Sequence, residues 1–293
     1  MKVGLQVYTV RNHLKENPRR TLEQVVEAGY KDIEFANHQA EKDVGIGFGY
    51  SKEEMKAIIR DLGINVIGAH VMPSDRDDVM WFYEDLEYFK KFIDYFLDLG
   101  AKYLSIPHIT FDSKDQLLRR CESLNKLAKL GADNGISILF HNHWNEFQQF
   151  DGENILDIMM ANTDPVNFKL ELDTYWTILG LVNPCDLMHK YKERVAILHQ
   201  KDFPLSQMSR FNAWDRVPRD RIVSLGEFRD LIDPELFIEP GDGVLKIQDF
   251  IDVGNEYHIP YILVEQDYSK YDEIESINIS MRNFKKMRGL EWD

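Results

Sequence analysis

Cysteine is scarce in this chain, with two residues, Cys121 and Cys185, among 293. They show no metal-ligand spacing, so neither a disulfide framework nor a cysteine-rich zinc module is expected. Clustered positive charge is also missing. Lysine and arginine total 35 against 50 aspartate and glutamate, a net charge of −15. The longest basic runs are pairs such as Arg19-Arg20, Arg119-Arg120 and Lys285-Lys286. A phosphate backbone is held by clustered cations, so no nucleic-acid partner is expected. No apolar run approaches the roughly 20 residues of a membrane span, which argues against a membrane partner. The opening Met-Lys-Val-Gly-Leu-Gln-Val-Tyr has no basic stretch followed by a long apolar core. A secretory signal is therefore not expected, and the expected location is cytoplasmic. No Gly-x-Gly-x-x-Gly follows the first strand, and no composition break marks a second domain.

What is present is a regular alternation of strand and helix patterns. Strands are predicted at 3–8, 31–35, 65–71, 102–107, 137–142, 167–173, 195–199 and 261–266. Their apolar runs do not alternate, which fits a parallel sheet covered on both faces. Between them lie helices with clear start and stop signals. Pro18 opens one and Gly29 stops it, and capping boxes stand at Ser51-Lys-Glu-Glu54 and Ser113-Lys-Asp-Gln116. One long helix over 78–99 is predicted to carry a core-facing stripe of Trp81, Phe82, Phe89, Phe92 and Phe96. Eight strands alternating with helices predict an α/β fold, a single-domain (β/α)8 TIM barrel, with an open doubly wound sheet as the alternative. Residues 203–240 lack periodicity and form a long insertion, expected to serve as a lid or a substrate wall.

In such a barrel the working site lies at the C-terminal ends of the strands. The third predicted strand ends at His70, the fourth at His108, and the fifth in His141-Asn-His143 with Glu146 beyond. The sixth carries Asp173, the seventh His199-Gln-Lys201-Asp202 and the eighth Glu265, while the second contributes Glu34. Alternate strand residues share a face, so His141 and His143 point the same way. That pair suits metal binding or proton transfer, or else forms hydrogen-bonded structural histidines. Five of the chain's nine histidines fall at these ends. Asp173 and Glu265 at the mouths of apolar strands are costly unless paired or coordinated. Converging nitrogen and oxygen donors suit a divalent ion such as Mn, Zn, Co or Ni.

At these residues the chain resembles the xylose-isomerase-like barrel superfamily of sugar phosphate isomerases and epimerases. The opening Gly-Leu-Gln-Val-Tyr-Thr-Val-Arg11, Gly29-Tyr-Lys-Asp-Ile-Glu34 and the Gly241-Asp-Gly243 turn carry the likeness, along with Leu-Asp173-Thr-Tyr and His199-Gln-Lys-Asp. The resemblance implies a metal held by His141, Asp173, His199 and Glu265, although His143 shares a face with His141 and leaves the reverse assignment open. His141 stands where many relatives have glutamate. That departure puts a symmetric two-carboxylate proton exchange in doubt and looks more like the dehydratase and lyase branches.

The implied chemistry is proton removal beside a carbonyl through an enediolate, in a metal-dependent sugar isomerase or epimerase. The alternative is a keto-sugar dehydratase or 3-keto-glycoside lyase using the same site. Glu265 is then ligand and base, with His143 and Glu146 as other bases. Lys201 binds a substrate oxygen, or pairs with Asp202 or another acid. Glu34, His70 and His108 are placed with the substrate, the two histidines alternatively being core groups. Tyr8, Trp144 and Trp176 either stack on a sugar face or pack the barrel mouth. The partner expected is a small carbohydrate, and barrels of this size often pair into homo-oligomers. A zinc-dependent abasic-site endonuclease shares the fold, but its three-metal cluster and basic DNA face do not fit this charge. A non-catalytic sugar-binding barrel is the remaining reading.

Overall fold

A computed structural model describes residues 1–46, 48–74 and 78–292. Eight parallel strands close a barrel: β1 Lys2–Gln6, β2 Asp32–Asn37, β3 Asn65–Val71, β4 Tyr103–Ile106, β5 Ser137–His141, β6 Phe168–Asp173, β7 Val195–Gln200 and β8 Tyr261–Val264. Each pairs with its sequence neighbours, and β8 pairs with β1, so no strand edge is exposed. Each strand is followed by an outer helix: α1 Pro18–Glu27, α2 Lys52–Leu62, α3 Leu86–Asp98, α4 Lys114–Asn134, α5 Ile155–Asn162, α6 Pro184–Tyr191, α7 Ile247–Glu256 and α8 Glu273–Phe284. Among the described residues no helix is long and apolar enough to cross a membrane.

Local chemistry sets the boundaries. Ser51 and Glu54 cap α2 reciprocally, whereas at α4 Ser113 accepts from Gln116 N while Gln116 Oε1 reaches Asp112 N instead. The first strand is shorter than the predicted 3–8. Gln6 Oε1 accepts from Tyr8 N at 3.1 Å and turns the chain into the 3-10 helix Val7–Val10. The predicted helix over 78–99 is two helices, Met80–Glu84 and α3, because Asp85 leaves helical geometry and caps α3 through Tyr88 N. That break also corrects the aromatic stripe. Phe82, Phe89, Phe92 and Phe96 are buried, but Trp81 is 42% exposed.

Inside the barrel the side chains form tiers. Ile67, Leu139, Ile197 and Leu263 make an apolar floor. The missing β1 member is Gly4, where a Cβ would stand 2.6 Å from Leu263 Cδ2. Between the Ile33–Val66 and Glu34–Gly68 pairs the β2–β3 register slips by one residue. The slip resets the alternation, so Ile67 belongs to the floor while His70 joins the polar tier above it.

The insertion is a packed wall built of short pieces: 3-10 turns at Leu205–Arg210, Ala213–Asp215 and Pro234–Leu236, and the helix Leu225–Asp230. Val217, Val223, Phe228 and Leu236 are buried in it. Asp202 anchors its two ends. The carboxylate accepts Phe203 N and Leu245 N on Oδ1, and Gly241 N and Gly243 N on Oδ2, at 2.8–3.1 Å. A Cβ on Gly243 would collide with that carboxylate, which explains the glycine. Replacing Asp202 by Ala strands four N–H groups and is expected to cost about 3 kcal/mol or more of stability. Urea unfolding measures it, and an unchanged midpoint would show that the turn holds without the carboxylate.

Candidate active site

The period-two alternation of the strands lifts a column of polar groups out of each apolar floor position. On β5 the column is Leu139, His141, His143. On β6 it is Glu171, Asp173; on β7, Ile197, His199, Lys201; on β8, Leu263, Glu265, Asp267. His141, Asp173, His199 and Glu265 thereby offer ligand atoms that all lie within 4.8 Å of one another, each residue buried. His141 Nε2 stands 3.4 Å from both Asp173 Oδ2 and Glu265 Oε2. His199 Nδ1 is 2.9 Å from Glu265 Oε2. The Lys201 ammonium is fully buried between the same two carboxylates, 2.6 Å from Asp173 Oδ2 and in close contact with Glu265 Oε2. Asp202 faces the other way, into the insertion.

The electrostatics follow from burial and pairing. Burial alone would raise Asp173 and Glu265, but Lys201 and the imidazoles hold both below the usual carboxylate range. Burial would depress His141, yet Asp173 and Glu265 lift it to about 9. His108 and His143 behave oppositely. Their rings stack at 4.1 Å, and burial, then neighbouring histidines, hold both well below the normal imidazole value. Both are neutral bases at neutral pH. Phe228, from the insertion, covers them edge-on at 5.5 and 4.8 Å.

These groups open into a cavity of about 260 Å³ lined by Tyr8, His70, His108, His141, His143, Trp176, Glu265 and Asp267. Three of the sequence candidates lie elsewhere. Glu34 is buried in the tier below, bonded to Gln6 Nε2 at 2.8 Å. Trp144 is buried behind the wall against Trp214 and Phe228. Glu146 accepts His143 N at 2.6 Å and Asn145 Nδ2 at 2.8 Å, so it braces the His143 backbone. Tyr8 faces the cavity with the Arg11 guanidinium 4.2 Å over its ring. Trp176 sits 5.6 Å from the Lys201 ammonium.

Four further groups were not singled out in the sequence. Glu171 and Asp267 lie two residues from Asp173 and Glu265, so strand alternation was the signal that could have found them. Gln6 and Ser105, whose hydroxyl is 3.3 Å from Glu34 Oε1, had no such signal. Burial pushes Asp267 up to about 6, and its Oδ2 has no hydrogen-bond partner.

The donor set fits a divalent transition ion. Both ring nitrogens of buried His141 lack hydrogen-bond partners, and the spacing of about 3 Å between donors suits an ion bound at roughly 2.0–2.2 Å. The protein also places a cation of its own, Lys201, against the same carboxylates.

Residues 22–286 match the xylose isomerase-like TIM barrel family, and the chain belongs to it. Among curated relatives, the inosose dehydratase of Geobacillus kaustophilus is 23% identical over 279 residues, 88% of this chain and 79% of that protein. Other inosose dehydratases match over about half their length, 45% to 57%. A sugar phosphate isomerase/epimerase from Parabacteroides distasonis superposes with a TM-score of 0.77 at 23% identity, covering 99% of this chain and 95% of that one. The IolI protein, whose structure carries a bound zinc atom, superposes at 0.70 with 16% identity, covering 98% and 97%.

Two outcomes are expected. An ion needs the His141 lone pair, and a proton holds it up to about pH 9. Since His199 is raised as well and also gives up a proton, apparent zinc affinity is expected to rise at least about tenfold per pH unit from 7 toward 9 and less steeply beyond, as competition titration with a chelator would register. Glu146, raised by burial from 4.5 to about 7, contributes stability that is complete below pH 4.5 and lost as pH rises through 7. Glu146→Gln is expected to flatten the fall in Tm between pH 5 and pH 8. A slope equal to that of the unaltered protein would assign the fall to other groups.

Proposed function

We propose that the protein is a metal-dependent enzyme that removes the proton beside the carbonyl of a keto-sugar or keto-cyclitol and expels the oxygen substituent next to that carbon, as a dehydratase or lyase. The observation that carries this reading is a neutral base and a carboxyl lifted toward neutrality by burial, both lining one small cavity. The base is His143, stacked on His108 on the β4–β5 side. The acid is Asp267, beyond β8, with a carboxyl raised to about 6. The curated relatives named inosose dehydratase support it.

Bound by His141, Asp173, His199 and Glu265, a divalent ion supplies Lewis acidity that lowers the cost of negative charge on the substrate's carbonyl and hydroxyl oxygens. His143 Nδ1, buried and without a hydrogen-bond partner, accepts the proton from carbon. The C–H electrons form the carbon–carbon double bond of an enediolate. Collapse of that enediolate breaks the neighbouring C–O bond, and the departing oxygen takes the proton of Asp267. Lys201 beneath the cavity keeps Asp173 and Glu265 ionised and offsets part of the charge that develops. The Phe228 and Trp176 rings exclude water from His143. Past Tyr8, His38 and Arg229 the cavity continues into a space of about 540 Å³, room for a substituent on the sugar.

A second reading, isomerase or epimerase, draws on the two carboxylates that remain in the donor set, Asp173 and Glu265. Incubating the zinc- or manganese-loaded protein in deuterium oxide with an inosose and with a 3-keto-glucoside separates the two. Deuterium uptake with loss of water or alcohol is expected, and uptake without loss would select the isomerase. His143→Ala is expected to lower turnover about 10²- to 10⁴-fold. Undiminished turnover in that variant would remove His143 from the base role.

A further inference from the structure

Below the donor set already described lies a second one, of which the proposed chemistry uses His199 alone. Glu34 of β2, His70 of β3, Glu171 of β6 and His199 of β7 bring four ligand atoms within 4.8 Å of one another, all buried. His70 Nε2 is 2.6 Å from Glu171 Oε2 and 3.4 Å from Glu34 Oε2. His199 Nε2 is 2.9 Å from Glu34 Oε2 and 3.2 Å from Glu171 Oε1. A tetrahedral ion with bonds of 2.0–2.1 Å keeps its ligands about 3.3 Å apart, close to these separations. No lysine or arginine ion pair reaches either glutamate among the described residues. Glu171 Oε1, fully buried, has no hydrogen-bond partner.

We propose that Glu34, His70, Glu171 and His199 form a second divalent-metal site, deeper in the barrel than the first. The two sites share one ring: His199 turns Nδ1 to the upper carboxylates and Nε2 to the lower. His70 lines the cavity as well as the lower site, which gives an ion its way in. An ion there neutralises the two buried carboxylates and fixes the His199 ring for the upper site.

In sharing His199 the proposal rests on the upper metal reading, and stoichiometry distinguishes the failure of each. The apo protein is dialysed to equilibrium against zinc and its metal content measured by atomic emission, with no variant required. Two ions per chain are expected. Glu171→Gln is expected to hold one and Asp173→Asn to hold one, each with circular dichroism like that of the parent. Cobalt titration of the unaltered protein is expected to fill two spectrally different sites. One zinc per chain, unchanged in Glu171→Gln, overturns the lower site and leaves the upper standing. Zinc in neither overturns both.

Discussion

The imidazole of His199 is gripped from both ends, and the interior of the barrel depends on that grip. Nδ1 meets Glu265, and Nε2 meets Glu34 and Glu171. A buried ionised carboxylate costs several kcal/mol unless its charge is met. Among the described residues the charges of Glu34, Glu171, Asp173 and Glu265 are met by His70, His141, His199 and Lys201, with Gln6 Nε2 also donating to Glu34 and Trp176 N to Asp173. Each acid touches a base that touches another acid, so the stability effects of single substitutions among them will not add. The closed parallel sheet makes such a unit possible. It pairs each strand on both sides, and it brings four or more strand faces to one axis where charges can meet out of water.

Much of this was legible in the sequence because the period of a strand is simple. Eight apolar runs with helices between them specified the barrel, and alternation aligned His141 with His143. The same arithmetic applied backward from Asp173 and forward from Glu265 reaches Glu171 and Asp267, whose significance depends on their being buried together. What the sequence could not carry was partner choice. Lys201 sits next to Asp202, yet pairs with Asp173 and Glu265, because adjacent strand residues face opposite sides. Trp81 fitted an aromatic stripe until the break at Asp85 turned it outward. Glu146 reads as a spare carboxylate in a polar motif, but its oxygens are taken by the His143 backbone and Asn145.

The insertion between β7 and α7 shows how a loop without periodicity can still be built. Asp202 stitches its ends, and its one helix carries Phe228 over the His108–His143 stack. Neutral imidazoles stay neutral because that apolar ring keeps water from them, and their basicity is in this sense a property of the loop as much as of the strands.

The apolar floor has a kinetic implication. Ile67, Leu139, Ile197 and Leu263 seal the barrel at its lower end, with Leu263 filling the gap left by Gly4. That apolar plug disfavours passage of anything hydrophilic, and the cavity at the mouth is the route from the charged groups to solvent. A molecule seated in the mouth thus corks whatever lies beneath it. Anything held in the interior would therefore leave only as fast as the mouth above it is vacated.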